Sequence, residues 1–189
     1  LKKYYKVHQK EPGLSGSLRS LFNRKYYDVK AVDDASFEIA DGELVGFIGP
    51  NGAGKTTTLK VLSGLLYPTS GHVSVLGFTP WNRQPVFQKQ FSLVMGQKNQ
   101  LWWDLPAMES FNLNKEIYEI PEDRYNKTLN QLIQLLEVED ILKIQVRKLS
   151  LGQRMKMELI ASLLHSPKVL FLDEPTIGLD IFAQSIIRT

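Results

Sequence analysis

Gly49-Pro50-Asn51-Gly52-Ala53-Gly54-Lys55-Thr56-Thr57 decides how this chain folds. The stretch satisfies G-x-x-x-x-G-K-[ST] at every fixed position. Glycine at this density lets the backbone curl closely, so that successive N–H groups point at one anion. Lys55 adds a cation for β- and γ-phosphates. The Thr56 hydroxyl suits Mg²⁺, a hard ion that prefers oxygen ligands. Residues 43–48 read as a short, mostly apolar strand entering the loop, and residues 55–62 as a helix leaving it, closed near Gly64. Strand, glycine loop and helix in that order are the context that makes the pattern specific. A nucleoside triphosphate is the implied ligand.

Outward from the loop, residues 32–40 read as a strand, and Asp41-Gly42 as the turn before the next one. Residues 72–76 and 91–95 are further strand candidates, and residues 107–145 are mainly helical. Leu129, Leu132, Ile133 and Leu136 recur at helical spacing on one face. Residues 149–164 form another helix with Met157, Ile160, Ala161 and Leu164 as its buried stripe. Residues 168–172 read as a buried strand that ends in Asp173-Glu174. Strands alternating with helices argue for an α/β fold with a central parallel sheet.

Adjacent carboxylates at the exit of an apolar strand are poor for folding unless charge is needed there. With a phosphate loop upstream, Asp173 suits Mg²⁺, directly or through water, and Glu174 suits polarising the attacking water as general base. Ser150 and Gln153 have the spacing of a capping box for the helix that follows. A helix start also offers free N–H groups to an anion.

The order of these blocks, with Leu149-Ser150-Leu151-Gly152-Gln153 ahead of Leu170-Phe171-Leu172-Asp173-Glu174-Pro175-Thr176, resembles the ATP-binding domain of ABC proteins over nearly the whole chain. The resemblance implies a P-loop NTPase core with an antiparallel β subdomain and a helical signature subdomain at about residues 100–165. It implies ATP and Mg²⁺ as cofactors. Gly49, Pro50, Asn51, Gly52, Ala53, Gly54, Lys55, Thr56 and Thr57 would bind the nucleotide. Thr56, Gln97 and Asp173 would organise the metal, and Glu174, Gln97 and Lys55 the chemistry. Leu149–Gln153 stands where the family carries LSGGQ, with Leu151 in place of its first glycine. Ser150, Gly152 and Gln153 would touch the ATP held by a second subunit, in a head-to-tail dimer of identical or paralogous ATPases. Asp180 in Gly178-Leu179-Asp180 matches a loop that reaches across that interface. Tyr26, or alternatively Tyr27, stands where the family stacks an aromatic on adenine. The family's switch histidine has no match, since His8, His72 and His165 all precede Asp180.

Residues 95–106, with Gln97, Trp102 and Trp103, look like the ATPase subunits of bacterial ABC-2-type exporters. In that group the two tryptophans lie where a polytopic membrane subunit docks. The expected place of work is the cytoplasmic face of the cell membrane. The alternative is a soluble ABC ATPase acting on ribosomes or DNA, favoured by one feature. Residues 1–30 carry eight Lys/Arg against Glu11 and Asp28, whereas the whole chain is net +3. No nucleic acid is expected as partner.

Composition agrees. With 189 residues, 43% hydrophobic and 23% charged, the chain can bury one substantial core. It has no cysteine, which excludes a disulfide framework and cysteine metal sites. No apolar run approaches the roughly 18 residues of a membrane span. Leu1 is not methionine, and residues 181–188 read as a helix that the last residue interrupts. The expected organisation is therefore one ABC ATPase domain over residues 1–189, truncated at its C-terminus.

Overall fold

The computed structural model describes residues 1–8, 26–96 and 100–174. The chain divides into two compact units, Leu1–Arg83 and Gln84–Thr189. In the first, β1 (Lys3–His8) and β2 (Tyr26–Val32) form an antiparallel pair, with Tyr5 opposite Val29 and Val7 opposite Tyr27. Helix α1 (Lys55–Leu62) follows the glycine loop and buries Thr58, Leu59, Val61 and Leu62. Its bounds are those the sequence predicts, because Gly54 starts it and Ser63-Gly64 ends it. Gly64 has φ 73 and lies so close to Pro80 that a Cβ would overlap the Pro80 carbonyl.

The second unit holds a parallel pair, β3 (Phe91–Met95) and β4 (Val169–Asp173), in register from Phe91–Val169 to Met95–Asp173. Helix α2 (Pro85–Gln88) precedes β3, and α3 (Ala107–Ile117), α4 (Glu122–Leu136) and α5 (Leu151–Leu163) run between the two strands. Helix α5 packs on β3 and against α3 and α4. Its Met157, Ile160, Ala161 and Leu164 stripe is buried as predicted, together with Leu129, Ile133 and Leu136 of α4. Leu132 is partly buried against the same core. Parallel strands joined through helices make this an α/β fold.

Three strand expectations differ from the structure. Residue 32 closes β2, and residues 33–50 contain no regular strand. Most of the large apolar residues there stay in solvent, up to Ile48 at 99% exposure, while Phe47 is half-buried against Phe37. Alternation assigns a face to a strand but not a partner, and without a partner its N–H and C=O groups have no ladder. The predicted Asp41-Gly42 turn is present: Gly42 has φ 78, and the Glu43 amide donates to the Ala40 carbonyl at 3.3 Å. Residues 72–76 reduce to one bridge, Val75 with Phe78, closed by Leu76 and Gly77 at φ 52 and 80. Two successive positive φ values favour a tight reversal over strand continuation.

Candidate functional site

The glycine loop is shaped by backbone first. Gly52 and Gly54 have φ 84 and 86, the left-handed region that glycine enters without strain. A Cβ on Gly54 would overlap the Ala31 carbonyl oxygen and press on Val32, so the loop lies directly against the end of β2. Gly54 is the residue before α1, and its carbonyl accepts from the Thr58 amide at 2.8 Å. The Lys55 Nζ folds back and donates to the carbonyls of Gly49 at 2.7 Å and Pro50 at 3.0 Å. An ammonium is thus held over a helix N-terminus, where anions are favoured. Pro50, Asn51, Ala53 and Thr57 complete the loop and the first turn, and Thr56 follows Lys55 within that turn.

Tyr26 is half exposed on β2, edge-on to His8 at 5.7 Å between centroids, and Tyr27 is equally exposed. Both belong to the strand whose end packs against Gly54.

In the second unit Asp173 ends β4 and Glu174 follows at φ 53. The Gly96 amide donates to the Asp173 carbonyl at 3.0 Å. Nearby, Ser150 caps α5 in the predicted capping box: the Gln153 amide donates to Ser150 Oγ at 3.2 Å and the Ser150 amide donates to Gln153 Oε1 at 2.9 Å. Leu151 is partly exposed and Gly152 follows in the first turn. Gln97 and Asp180 lie outside the described residues.

Residues 103–105 are pinned by the turn at residues 146–147. The Val146 amide donates to the Leu105 carbonyl and the Arg147 amide to the Trp103 carbonyl, each at 3.0 Å. Trp102 and Trp103 remain about half exposed, with the Arg154 guanidinium 5.3 Å over the Trp103 ring. Trp102 borders a groove of about 560 Å³ that also involves Phe91, Gln100, Leu113, Asn114 and Tyr118. His165 packs as a structural residue. Its ring stacks on Tyr118 at 3.9 Å, and burial lowers its pKa.

Glu158 was not legible as special. It lies inside the apolar stripe of α5 and is 3% exposed, and its Oε1 accepts from the Gln100 amide at 3.4 Å. Burial pushes its carboxyl up from 4.5 to about 7, against the weaker pull of that amide and of Arg154. An acid raised on folding keeps its proton in the native state while the unfolded chain ionises. Stability is therefore fullest below pH 4.5, falls as the pH rises towards 7, and stays lowered above that. Glu158→Gln is expected to stabilise the protein by about 1–3 kcal/mol at pH 8 and by less than about 1 kcal/mol at pH 5. Thermal unfolding at both pH values checks this, and a gain independent of pH would remove the carboxyl as its cause.

A glycine loop wrapped on a helix start, within an α/β fold, defines the P-loop class of nucleotide-binding proteins. The chain belongs to the ABC transporter family, whose model matches residues 32–177. It is 32% identical to the ABC transporter ATP-binding protein NatA of Bacillus subtilis (strain 168), over 88% of this chain and 68% of that protein. It is 36% identical to the daunorubicin resistance ATP-binding protein DrrA3 of Streptomyces coeruleorubidus, over 83% of this chain and 49% of that one. Against ABC transporter G family member 20 of Dictyostelium discoideum the identity is 36% over 87% of this chain, which spans 22% of that relative. A solved ATP-binding subunit of an ABC transporter superposes with TM-score 0.75 at 29% identity, covering 82% of this chain and 65% of that one.

Proposed function

We propose that the chain is the ATP-binding and ATP-hydrolysing part of an ABC exporter, working on a separate polytopic membrane subunit. The observation that carries the ATPase part is the Lys55 ammonium held over the left-handed Gly54 start of α1, in a chain of this family. Lys55 and the loop amides of residues 49–57 bind the phosphates. Water attacks the γ-phosphorus as its bond to the β–γ bridging oxygen breaks, and Glu174 takes the proton. The donor set fits Mg²⁺: Thr56 hydroxyl, Gln97 amide and Asp173 carboxylate are all hard oxygens. Mg²⁺ would spread the phosphate charge. Ser150, Gly152, Gln153 and Asp180 act on the nucleotide of a second ATPase, identical or paralogous, and Tyr26 or Tyr27 meets the adenine.

Export rests on residues 95–106, on the similarity to a daunorubicin resistance ATP-binding protein, and on exposed aromatics beside a groove. Exposed tryptophans on a pinned segment make good interface anchors. No helix among the described residues is long and apolar enough to cross a membrane. The reading puts the protein at the cytoplasmic face, docked through Trp102 and Trp103.

The full-length protein, purified from gently solubilised membranes, is expected to bring down a stoichiometric polytopic subunit. Trp102→Ala with Trp103→Ala should weaken that capture at least about 10-fold, the scale of a hot-spot loss, while ATP binding is kept. Capture of ribosomal or DNA-repair proteins in place of a membrane subunit overturns the exporter reading and leaves the ATPase chemistry standing.

A further inference from the structure

We propose that the missing side chain of Gly96 sets the position of Glu174, making Gly96 a positioning residue for water activation. The proposal rests on the reading of Glu174 as general base.

The β3–β4 register ends with Met95 opposite Asp173. The Gly96 amide extends the ladder one step by donating to the Asp173 carbonyl at 3.0 Å. At that step β4 turns away, with Glu174 at φ 53. A Cβ on Gly96 would lie 2.5 Å from the Glu174 carbonyl oxygen, 3.4 Å from its carbonyl carbon and 3.3 Å from Met155 Cε.

Conformation does not require glycine here, because Gly96 is not among the residues with positive φ. Space requires it. Carbon–oxygen contacts begin near 3.3 Å, so an added methyl forces a retreat of roughly 0.8 Å. The Met155 thioether can swing aside on its flexible side chain. The Gly96 backbone is tied to β4 through the Asp173 carbonyl. What yields is Glu174, already in a left-handed conformation that costs a non-glycine residue energy. A shift of about 1 Å in a catalytic group can cost about 100-fold in rate. Met155 is on α5 downstream of Ser150–Gln153, so the start of that helix and the carboxylate exit meet around the same glycine.

The test uses the full-length protein and single-turnover hydrolysis of labelled ATP. Gly96→Ala is expected to slow hydrolysis roughly 10- to 100-fold and to change ATP affinity by less than about 2-fold. Introduced into Glu174→Gln, it should change the residual rate by less than about 2-fold, the mark of two residues acting as one unit. A wild-type rate in Gly96→Ala overturns the proposal. So does its full further loss in the Glu174→Gln background. A variant that loses ATP binding or does not fold assigns Gly96 to sheet stability and overturns it as well. Unchanged hydrolysis in Glu174→Gln alone rejects the base reading instead, which separates the two failures.

Discussion

Glu174→Gln is expected to lower steady-state ATP hydrolysis by roughly 10²- to 10³-fold, within the range that general-base catalysis contributes. ATP affinity should stay within about 2-fold of wild type, since one side chain is exchanged for an isostere and Lys55 and the loop amides are untouched. The substitution removes a proton acceptor and keeps the length of the side chain. Glutamine has the same length as glutamate and tolerates φ 53 no better and no worse, so the turn after β4 is not relieved or strained by the change. The side chain is exposed, which removes burial as a cause of any loss. ATP that binds and is not consumed should hold two full-length subunits together. Phosphate release and size-exclusion chromatography with ATP and Mg²⁺ therefore report the same event from two sides. Unaltered steady-state hydrolysis would contradict the role given to this carboxylate. Lost hydrolysis with lost ATP binding would shift the role to organising the site.

The parts of this fold legible in the sequence are those fixed by neighbours in the chain. Helix α1 begins at Lys55 because Gly54 takes φ 86 before it. The Ser150–Gln153 capping box starts α5 from residues three apart. Strand β3 falls over Phe91–Met95, where a compact apolar run lies between polar neighbours. Residues 33–50 failed as strands because pairing is settled by partners far along the chain, and apolar pattern cannot name them. The candidate site divides in the same way. The glycine loop, the capped helix and the carboxylate pair are contiguous words. Gly96 matters through the carbonyl of a residue 78 positions later, and no spacing rule carries that contact. Glu158 hid inside a hydrophobic stripe because one polar residue in a helical pattern ordinarily faces solvent; only its 3% exposure sets it apart.

Lys55 and Gly54 stand side by side, and their substitutions should fail in different ways. Lys55→Ala is expected to weaken ATP binding by at least about 100-fold, the scale of losing a charge-assisted phosphate contact. Its effect on stability should be under about 1 kcal/mol, because the hydrogen bonds it loses, to Gly49 and Pro50, are solvent-exposed. Gly54→Ala keeps the ammonium but puts a methyl group against the Ala31 carbonyl at φ 86. Left-handed backbone alone costs alanine about 1–2 kcal/mol, and the overlap with rigid backbone adds to it. That variant should lose ATP binding and melt at a lower temperature together. Nucleotide titration and thermal unfolding, run on both variants of the full-length protein, separate charge from shape. If Lys55→Ala binds ATP as wild type does, the folded-back ammonium belongs to the loop's own structure, and the phosphates are held by backbone amides alone. If Gly54→Ala binds and melts normally, the close approach of β2 to the loop is not what shapes the site.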